Sequence, residues 1–265
     1  MRCGKTASAF FVPFFGAMTR LFPILGVLAV WELTARTGAF NTTLFPAPSA
    51  VWAAFVEMVG RGEMLGDIEV SLRRAAVGYV LGCVAGVLLG TLTGRVRLAE
   101  LMLGQVINVL RAFPPVAIVP FAILWFGLAE TSKYFLVFWG VFFPVWVNAH
   151  AGMSQVENTY LWAGRNLGAR KKNLVLEVLL PAAMPQILAG MRVAIGIAFI
   201  CVFVAEMSGA YEGVGFRIST SYYIFRVDRM IAALLVLGAL GATSDAVFRL
   251  LTGWLFPWSR LVNHG

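Results

Sequence analysis

The pattern of apolar and polar positions divides the chain into long hydrophobic stretches joined by shorter polar connections. A spanning helix needs about 20 mostly apolar residues. Six stretches approach or exceed that length: Leu21–Ala35, Ala75–Leu92, Leu98–Phe126, Tyr134–Ala149, Ile187–Met207 and Met230–Phe256. The pattern therefore predicts an all-α membrane protein with about six transmembrane helices. Residues 21–265 are predicted to form one transmembrane domain, preceded by a cytoplasmic N-terminal lead-in over residues 1–20.

The second stretch carries a regular pattern of small residues. Its glycines recur every four residues, at Gly78, Gly82, Gly86 and Gly90. In a helix this spacing places them along one face, where a neighbouring helix can approach closely. Glycine is also simply common in membrane helices, so close packing is a prediction for the structure to test.

The third stretch is interrupted by Pro114, Pro115 and Pro120. Proline removes a backbone donor and clashes with the preceding turn. A break at membrane depth is tolerated where protein or a water-filled cavity covers the freed carbonyls. The sequence therefore predicts a broken span, which either borders a translocation pathway or is only a packing kink.

The composition favours a bilayer environment. The chain is 60% hydrophobic and 13% charged, with a mean hydropathy of +0.82, whereas a soluble domain has about 25% charged residues. A net charge of +8 suits basic loops beside anionic lipid. No basic stripe is long enough to follow a nucleic-acid backbone, so no nucleic-acid partner is expected.

The residues that usually carry chemistry are sparse. Three cysteines and two histidines show no metal-binding spacing, so neither a metal nor a cofactor is expected. The chain also lacks a glycine-rich phosphate loop that ends in Lys and Ser or Thr. We therefore expect the chain not to be an enzyme and not to hydrolyse ATP itself.

The distribution of basic residues favours cytoplasmic termini by a small margin. With six spans, both termini lie on the same side. If that side is cytoplasmic, its segments hold ten basic residues and the opposite loops hold eight. The positive-inside rule then gives weak support to this orientation, chiefly through Arg165, Arg170, Lys171 and Lys172.

The connection Gly152–Gln186 predicts two short helices outside the membrane. The first, Tyr160–Leu167, is followed by Gly168, which suits a helix end that needs positive φ. The second, Leu174–Leu180, is followed by Pro181 and Pro185, which are expected to stop it. The pair is compatible with a rigid knob that another protein grips, and equally with an ordinary surface loop.

One signature in this connection matches a known family. Trp162-Ala163-Gly164 is followed four residues later by Gly168 and further on by Leu180-Pro181. This spacing resembles the Glu-Ala-Ala, Gly and Leu-Pro signature of the transmembrane permease subunits of bacterial ABC importers. Strings that begin at Arg111, Ile123, Val204 and Phe256 resemble the branch that serves taurine, aliphatic sulfonates, nitrate and related small compounds. The resemblance runs from about Phe45 to Arg260.

The resemblance implies a MetI-like permease core in the bacterial inner membrane, with both termini cytoplasmic. It implies two ABC ATPase subunits, a second permease subunit in a homodimer, and a periplasmic or lipid-anchored substrate-binding protein as partners. It also implies a cytoplasmic coupling helix at Tyr160–Ala169, seated in a groove of the ATPase. The implied coupling residues are Tyr160, Trp162, Ala163, Gly164, Arg165, Gly168 and Pro181.

Two residues depart from the family signature. Trp162 stands where the family has Glu, and Gly164 stands where it has Ala. Tryptophan cannot form the ion pair that a glutamate can form, but it can anchor a contact through a large flat surface. Either the ATPase partner has a matching surface or coupling is weakened.

The expected function is that of a permease subunit of an ATP-driven importer for a small anionic solute such as a sulfonate or taurine. Alternative solutes are a pyrimidine precursor of thiamin, nitrate or bicarbonate. A stand-alone secondary transporter would show an inverted repeat between its halves, and none is evident. Five residues of the third to fifth spans are candidates to line the pathway: Arg111, Pro114, Pro115, Asn148 and Glu206.

Three of the charged residues in the spans have alternative roles. Arg111 is placed to attract an anion, but snorkelling or pairing with an acid is equally compatible. Glu206 is at least as compatible with a structural role near the outer end of its span. Asp245 is one helical turn from Arg249 and is expected to pair with it.

Overall fold

The computed structural model describes residues 11–37, 41–170 and 173–258. These ranges are helical throughout apart from short connections and contain no strand. The helices are α1 (Phe11–Arg36), α2 (Pro48–Gly60), α3 (Glu63–Arg95), α4 (Arg97–Leu110), α5 (Pro115–Phe126), α6 (Glu130–Gln155), α7 (Asn158–Asn166), α8 (Leu174–Met207), α9 (Val214–Tyr223) and α10 (Val227–Leu255). The basic residues Arg2, Lys5, Lys171, Lys172 and Arg260, which the orientation argument counts, lie outside the described residues.

The helices confirm an all-α membrane fold. Within the described ranges, α3, α6, α8 and α10 are long and apolar enough to cross a membrane, and the bent pair α4 and α5 is a fifth candidate. The predicted span Leu21–Ala35 lies within α1, which also includes residues 11–20 of the predicted lead-in. The number of six spans stays a prediction.

At the core of the bundle, the backbone of α3 at its glycines packs directly against side chains of α6. We call this contact the seam. A Cβ atom added to Gly82 would lie 2.7 Å from Cγ1 of Val141, and one added to Gly86 would lie 2.8 Å from Cβ of Val145. The same applies at Gly78, Gly90 and Gly94. Because only glycine allows this approach, the predicted close-packing face of α3 is confirmed.

The opposite face of α6 packs against α8 in the same manner. An added Cβ at Gly190 of α8 would lie 2.5 Å from Cβ of Asn148, and Gly140 of α6 lies directly against Cys201. Helix α6 is therefore held between α3 and α8, and its Val137, Val141 and Val145 have no exposed surface.

The third predicted span is broken, as expected, at Pro114 and Pro115. The two halves, α4 and α5, are bent by 98°. Pro120 lies within α5 and does not interrupt it. Both halves rest on α6, since Ile107 of α4 packs among its aromatic residues and Ala122 of α5 packs near Leu136.

The expectation that Pro181 and Pro185 end a short helix is wrong. Helix α8 runs from Leu174 through both prolines to Met207. Its first turns, Leu174–Leu179, are π-helical, and the amide of Leu180 bonds to the carbonyl of Val175. The wider π turn changes the bonding register just before Pro181, where a donor is missing. The connection outside the long helices therefore covers only residues 156–173.

The seam predicts a strong difference between two glycines of α3. Gly86→Ala forces α3 and α6 apart and should lower stability by about 1–3 kcal/mol, as overpacking does. Gly66→Ala is the matched control, because an added Cβ there meets nothing within 4 Å. Thermal unfolding of the detergent-solubilised chain should show a clearly lower Tm for Gly86→Ala alone. Equal Tm values for the two variants would contradict the close contact.

Candidate functional site

Helix α7 has a well-defined C-terminal end. Gly168 has a φ of 80°, its amide bonds to the carbonyl of Arg165 at 2.9 Å, and the amide of Ala169 bonds to that of Gly164 at 3.0 Å. These two bonds form the Schellman motif, which satisfies carbonyls at a helix end. The positive φ predicted for Gly168 is confirmed, and the turn that follows α7 is rigid.

One face of α7 is clamped to the start of α8. A Cβ atom at Gly164 would lie 2.6 Å from Cδ2 of Leu174, and Leu161 packs against a buried cluster that includes Leu179 and Met153. A larger residue at position 164 would fit only if the end of the Leu174 side chain shifted. Helix α7 therefore packs directly on the start of α8.

The remaining surface of α7 is exposed and mixes large apolar side chains with polar ones such as Asn166. Tyr160 is 55% exposed, Trp162 63% and Leu167 87%. Ala163 is exposed beside them, and the guanidinium of Arg165 has no acidic partner within the described residues. Helix α7 is short and lies in the connection between α6 and α8, and exposed large apolar side chains on such an element are typical of a protein contact.

The candidate pathway residues lie in separate parts of the structure. Arg111 lines a cleft between α4 and α6, and Pro114 and Pro115 form the break that follows it. Asn148 is on the side of α6 that faces α8, where it donates to the carbonyl of Pro144 at 2.8 Å and accepts from Gln186 at 3.2 Å. Their pathway role stays a prediction.

Glu206 lies in a buried ionic network at the C-terminal end of α8. Nη1 of Arg74 is 3.0 Å from its carboxylate, and both side chains are almost fully buried. Ser71 and the amide of Gly215 donate to the same carboxylate at 2.8 and 2.7 Å. Arg74 also forms a bidentate pair with Glu130, at 2.6 and 2.8 Å. The network joins α3, α6, α8 and the start of α9.

A second set of bonds holds the N-terminus of α9. The amide of Gly213 donates to Asp67 at 2.8 Å and the amide of Val214 donates to Ser71 at 2.9 Å. Arg217 bonds to Asp67 at 2.7 Å and to Glu63 at 3.0 Å. Free amides at a helix start favour such acceptors, so α9 is fixed to the N-terminal part of α3.

Sequence reasoning missed this network. It placed Arg74 in an outer loop and began the span at Ala75, whereas α3 begins at Glu63. The available signal was spacing, since Asp67, Ser71 and Arg74 are four and three residues apart and share one helix face. The predicted pair of Asp245 and Arg249 is confirmed at 3.0 Å, and Asp245 also bonds to Arg192 at 2.8 Å.

Comparison with known families identifies the chain. The model of the binding-protein-dependent transport system inner membrane component matches residues 78–258, a range that includes the α3–α6 seam and α7. The chain belongs to this family. It is a transmembrane permease subunit and not an enzyme, and ATPase activity lies in a separate subunit.

Curated relatives match nearly the whole chain. The aliphatic sulfonates transport permease protein SsuC of Bacillus subtilis is 33% identical over 244 residues, which cover 92% of this chain and 88% of that protein. The nitrate import permease protein NrtB of Synechococcus elongatus is 30% identical, with 88% of each chain covered. The branch that the sequence resembles is thereby confirmed.

A solved structure supports the fold. An amino acid ABC transporter crystallised with histidines superposes with a TM-score of 0.55 at 15% identity, covering 77% of this chain and 97% of that one. At this identity the likeness concerns the fold alone. It confirms the MetI-like helical architecture.

The buried network predicts unequal effects for two glutamates near Arg74. Glu206→Gln removes a buried counter-charge and an acceptor of three donors, so the free energy of unfolding should fall by about 3 kcal/mol or more. Glu212→Gln is the control, because that carboxylate is 58% exposed and 4.0 Å from Arg74. Thermal unfolding in detergent should show a large loss for the first variant and almost none for the second. Similar, small losses in both would show that the network is not an important stabiliser.

Proposed function

We propose that this chain forms the translocation pathway of an ATP-driven importer of small anionic solutes, with α7 as the helix that couples it to the ATPase. The observation that carries this proposal is the construction of α7. It is short, ended by a Schellman motif at Gly168 and clamped to α8 at Gly164. Its free face exposes Trp162 and Leu167.

The packing suggests how movement passes from the ATPase to the pathway. When two ATPase subunits close on ATP, each would push one α7. Because Gly164 lies against Leu174, the push reaches α8, and the tight α8–α6 and α6–α3 contacts carry it across the bundle. Packed elements with two discrete arrangements transmit motion in this way. The outer ends, tied by Arg74 and Glu206, would act as the fixed side.

We assign α7 to the cytoplasm, with both termini on the same side, in the bacterial inner membrane. The ATPases are cytoplasmic, so the surface of α7 must be as well. The assembly would contain two copies of this chain, two ATPase subunits, and a periplasmic or lipid-anchored binding protein that delivers the solute to the outer face.

The solute class follows from the relatives and from one side chain. SsuC and NrtB are named for aliphatic sulfonates and nitrate, which are chemically different but share negatively charged oxygens. Arg111, beside the break in the third span, is exposed to the cleft between α4 and α6. An arginine at membrane depth is costly and usually functional, which favours an anion such as a sulfonate over a neutral pyrimidine.

The coupling role predicts different outcomes at two equivalent glycines. Gly168 and Gly62 have φ values of 80° and 74°, and a Cβ added to either meets nothing within 4 Å. Gly168→Asp and Gly62→Asp therefore carry the same backbone strain. Gly168 follows the C-terminal end of α7, and Gly62 precedes the N-terminal end of α3. Uptake of a labelled sulfonate by cells that express the whole transporter should be abolished only by Gly168→Asp, with both variants present in the membrane. Full uptake in Gly168→Asp would refute the assignment of α7.

A further inference from the structure

The inner part of the broken span has its polar residues on one face. In α4 and at its end these are Arg97, Glu100, Gln105, Asn108 and Arg111, separated by three, five, three and three residues. Steps of three keep side chains close on an α-helix, but a step of five leaves them about 140° apart. Because the steps of three turn back the other way, all five side chains still fall within about 140° of one another and share one side of the helix.

A π turn lies within this helix, at Glu100–Gly104. It contains five residues in one hydrogen-bonded turn, so Glu100 and Gln105 are brought to the same side of the helix. All five polar residues line a single cleft between α4 and α6. The stripe is about 20 Å long, and the π turn within it is an element often found at functional sites.

The cleft has room for a small solute. Its volume is about 460 Å³, and α6 contributes Trp146, Val147 and His150 to the opposite wall. Ligand sites commonly enclose about 300–1,000 Å³. The clefts elsewhere in the described part of the chain are different in kind; the one between α3, α8 and α10, for example, is lined mainly by apolar side chains such as Ile195 and Phe199.

The charges in the cleft are not neutralised by the protein. Arg74, Arg192 and Arg217 each have a carboxylate partner within 3.0 Å. Within the described residues, neither Arg97 nor Arg111 has such a partner, although both face the cleft. Glu100 is the acidic residue of the lining, and His150 is bonded to Thr93 at 3.1 Å. The cleft therefore has two unpaired cations against one anion.

We propose that this cleft is a binding conduit for a small oxyanion, with Arg111 at its deep end and Arg97 at the end near α7. The inference rests on the proposed function, since it names the residues that would recognise the transported anion. Arg111 supplies the charge and charge-assisted hydrogen bonds. Asn108 and Gln105 supply neutral donors along the stripe, and Arg97 receives the anion as it leaves toward the cytoplasm.

Binding to the transporter assembled with its ATPase subunits in lipid nanodiscs tests the conduit. The probes are ethanesulfonate, nitrate and the neutral isostere ethanesulfonamide, measured by calorimetry without nucleotide. We expect both anions to bind and ethanesulfonamide to bind at least about tenfold more weakly, the effect of one charge-assisted hydrogen bond. Arg111→Gln should lower the affinity for both anions by at least about tenfold, and Arg111→Lys should restore most of it.

Arg73→Gln is the matched control, because Arg73 is an exposed arginine of α3 that does not line the cleft. It should leave the affinity for both anions unchanged. If Arg111→Gln and Asn108→Leu bind and import ethanesulfonate as the unmodified transporter does, the conduit is overturned while the permease function stands. If the unmodified transporter binds neither anion but imports a neutral solute, the proposed solute class fails, and the conduit with it.

Discussion

The contact on which the rest of the structure depends is the glycine seam between α3 and α6. In a bilayer there is no hydrophobic gain from moving an apolar side chain out of lipid, so helices associate through close packing and polar contacts. The seam provides such close packing, because Val141 and Val145 lie where the glycines have no Cβ. With α8 packed equally tightly on the other face, α6 has no freedom to slide independently.

The two ends of this core carry different kinds of contact. Where the C-terminal end of α8 meets α3, α6 and α9, buried charges hold these helices together, and each charge is costly to leave without its partner. At the opposite end of α8, α7 contacts it through Gly164 and Leu174 and exposes Trp162 and Leu167. A bundle whose helices are fixed to one another at one end, and which exposes a contact surface at the other, is suited to rocking when a partner pushes on that surface.

The features that could be predicted from the sequence are those that depend on local pattern. Apolar length indicated the spans, the glycine period indicated the seam, and the prolines at 114 and 115 indicated the break. The charged residues led to a wrong prediction of where the second span begins. Asp67 and Arg74 belong to a spanning helix, in which partners distant in sequence satisfy them. Such partners cannot be inferred from local polarity.

The two π turns could not be predicted from the local sequence pattern either. One lets α8 continue through Pro181, where propensity predicts an end. The other lies within the polar stripe of α4, between Glu100 and Gln105. A π turn is a change of bonding register that tertiary packing stabilises, and residue preferences do not reveal it. Gly168 of the coupling signature could be predicted from the sequence. Its position requires a positive φ, which favours glycine, so the residue type itself indicates the conformation.

The most direct test of α7 as the coupling helix is site-specific photo-cross-linking in the intact membrane. A benzophenone amino acid at Leu167, which is 87% exposed on α7, should form an adduct with the ATPase subunit. The same probe at Leu124, which is 79% exposed on α5, should not. An ATPase adduct from position 167 alone is the result we predict. No adduct from position 167, or an equal yield from both positions, would contradict the assignment of α7 to the ATPase interface.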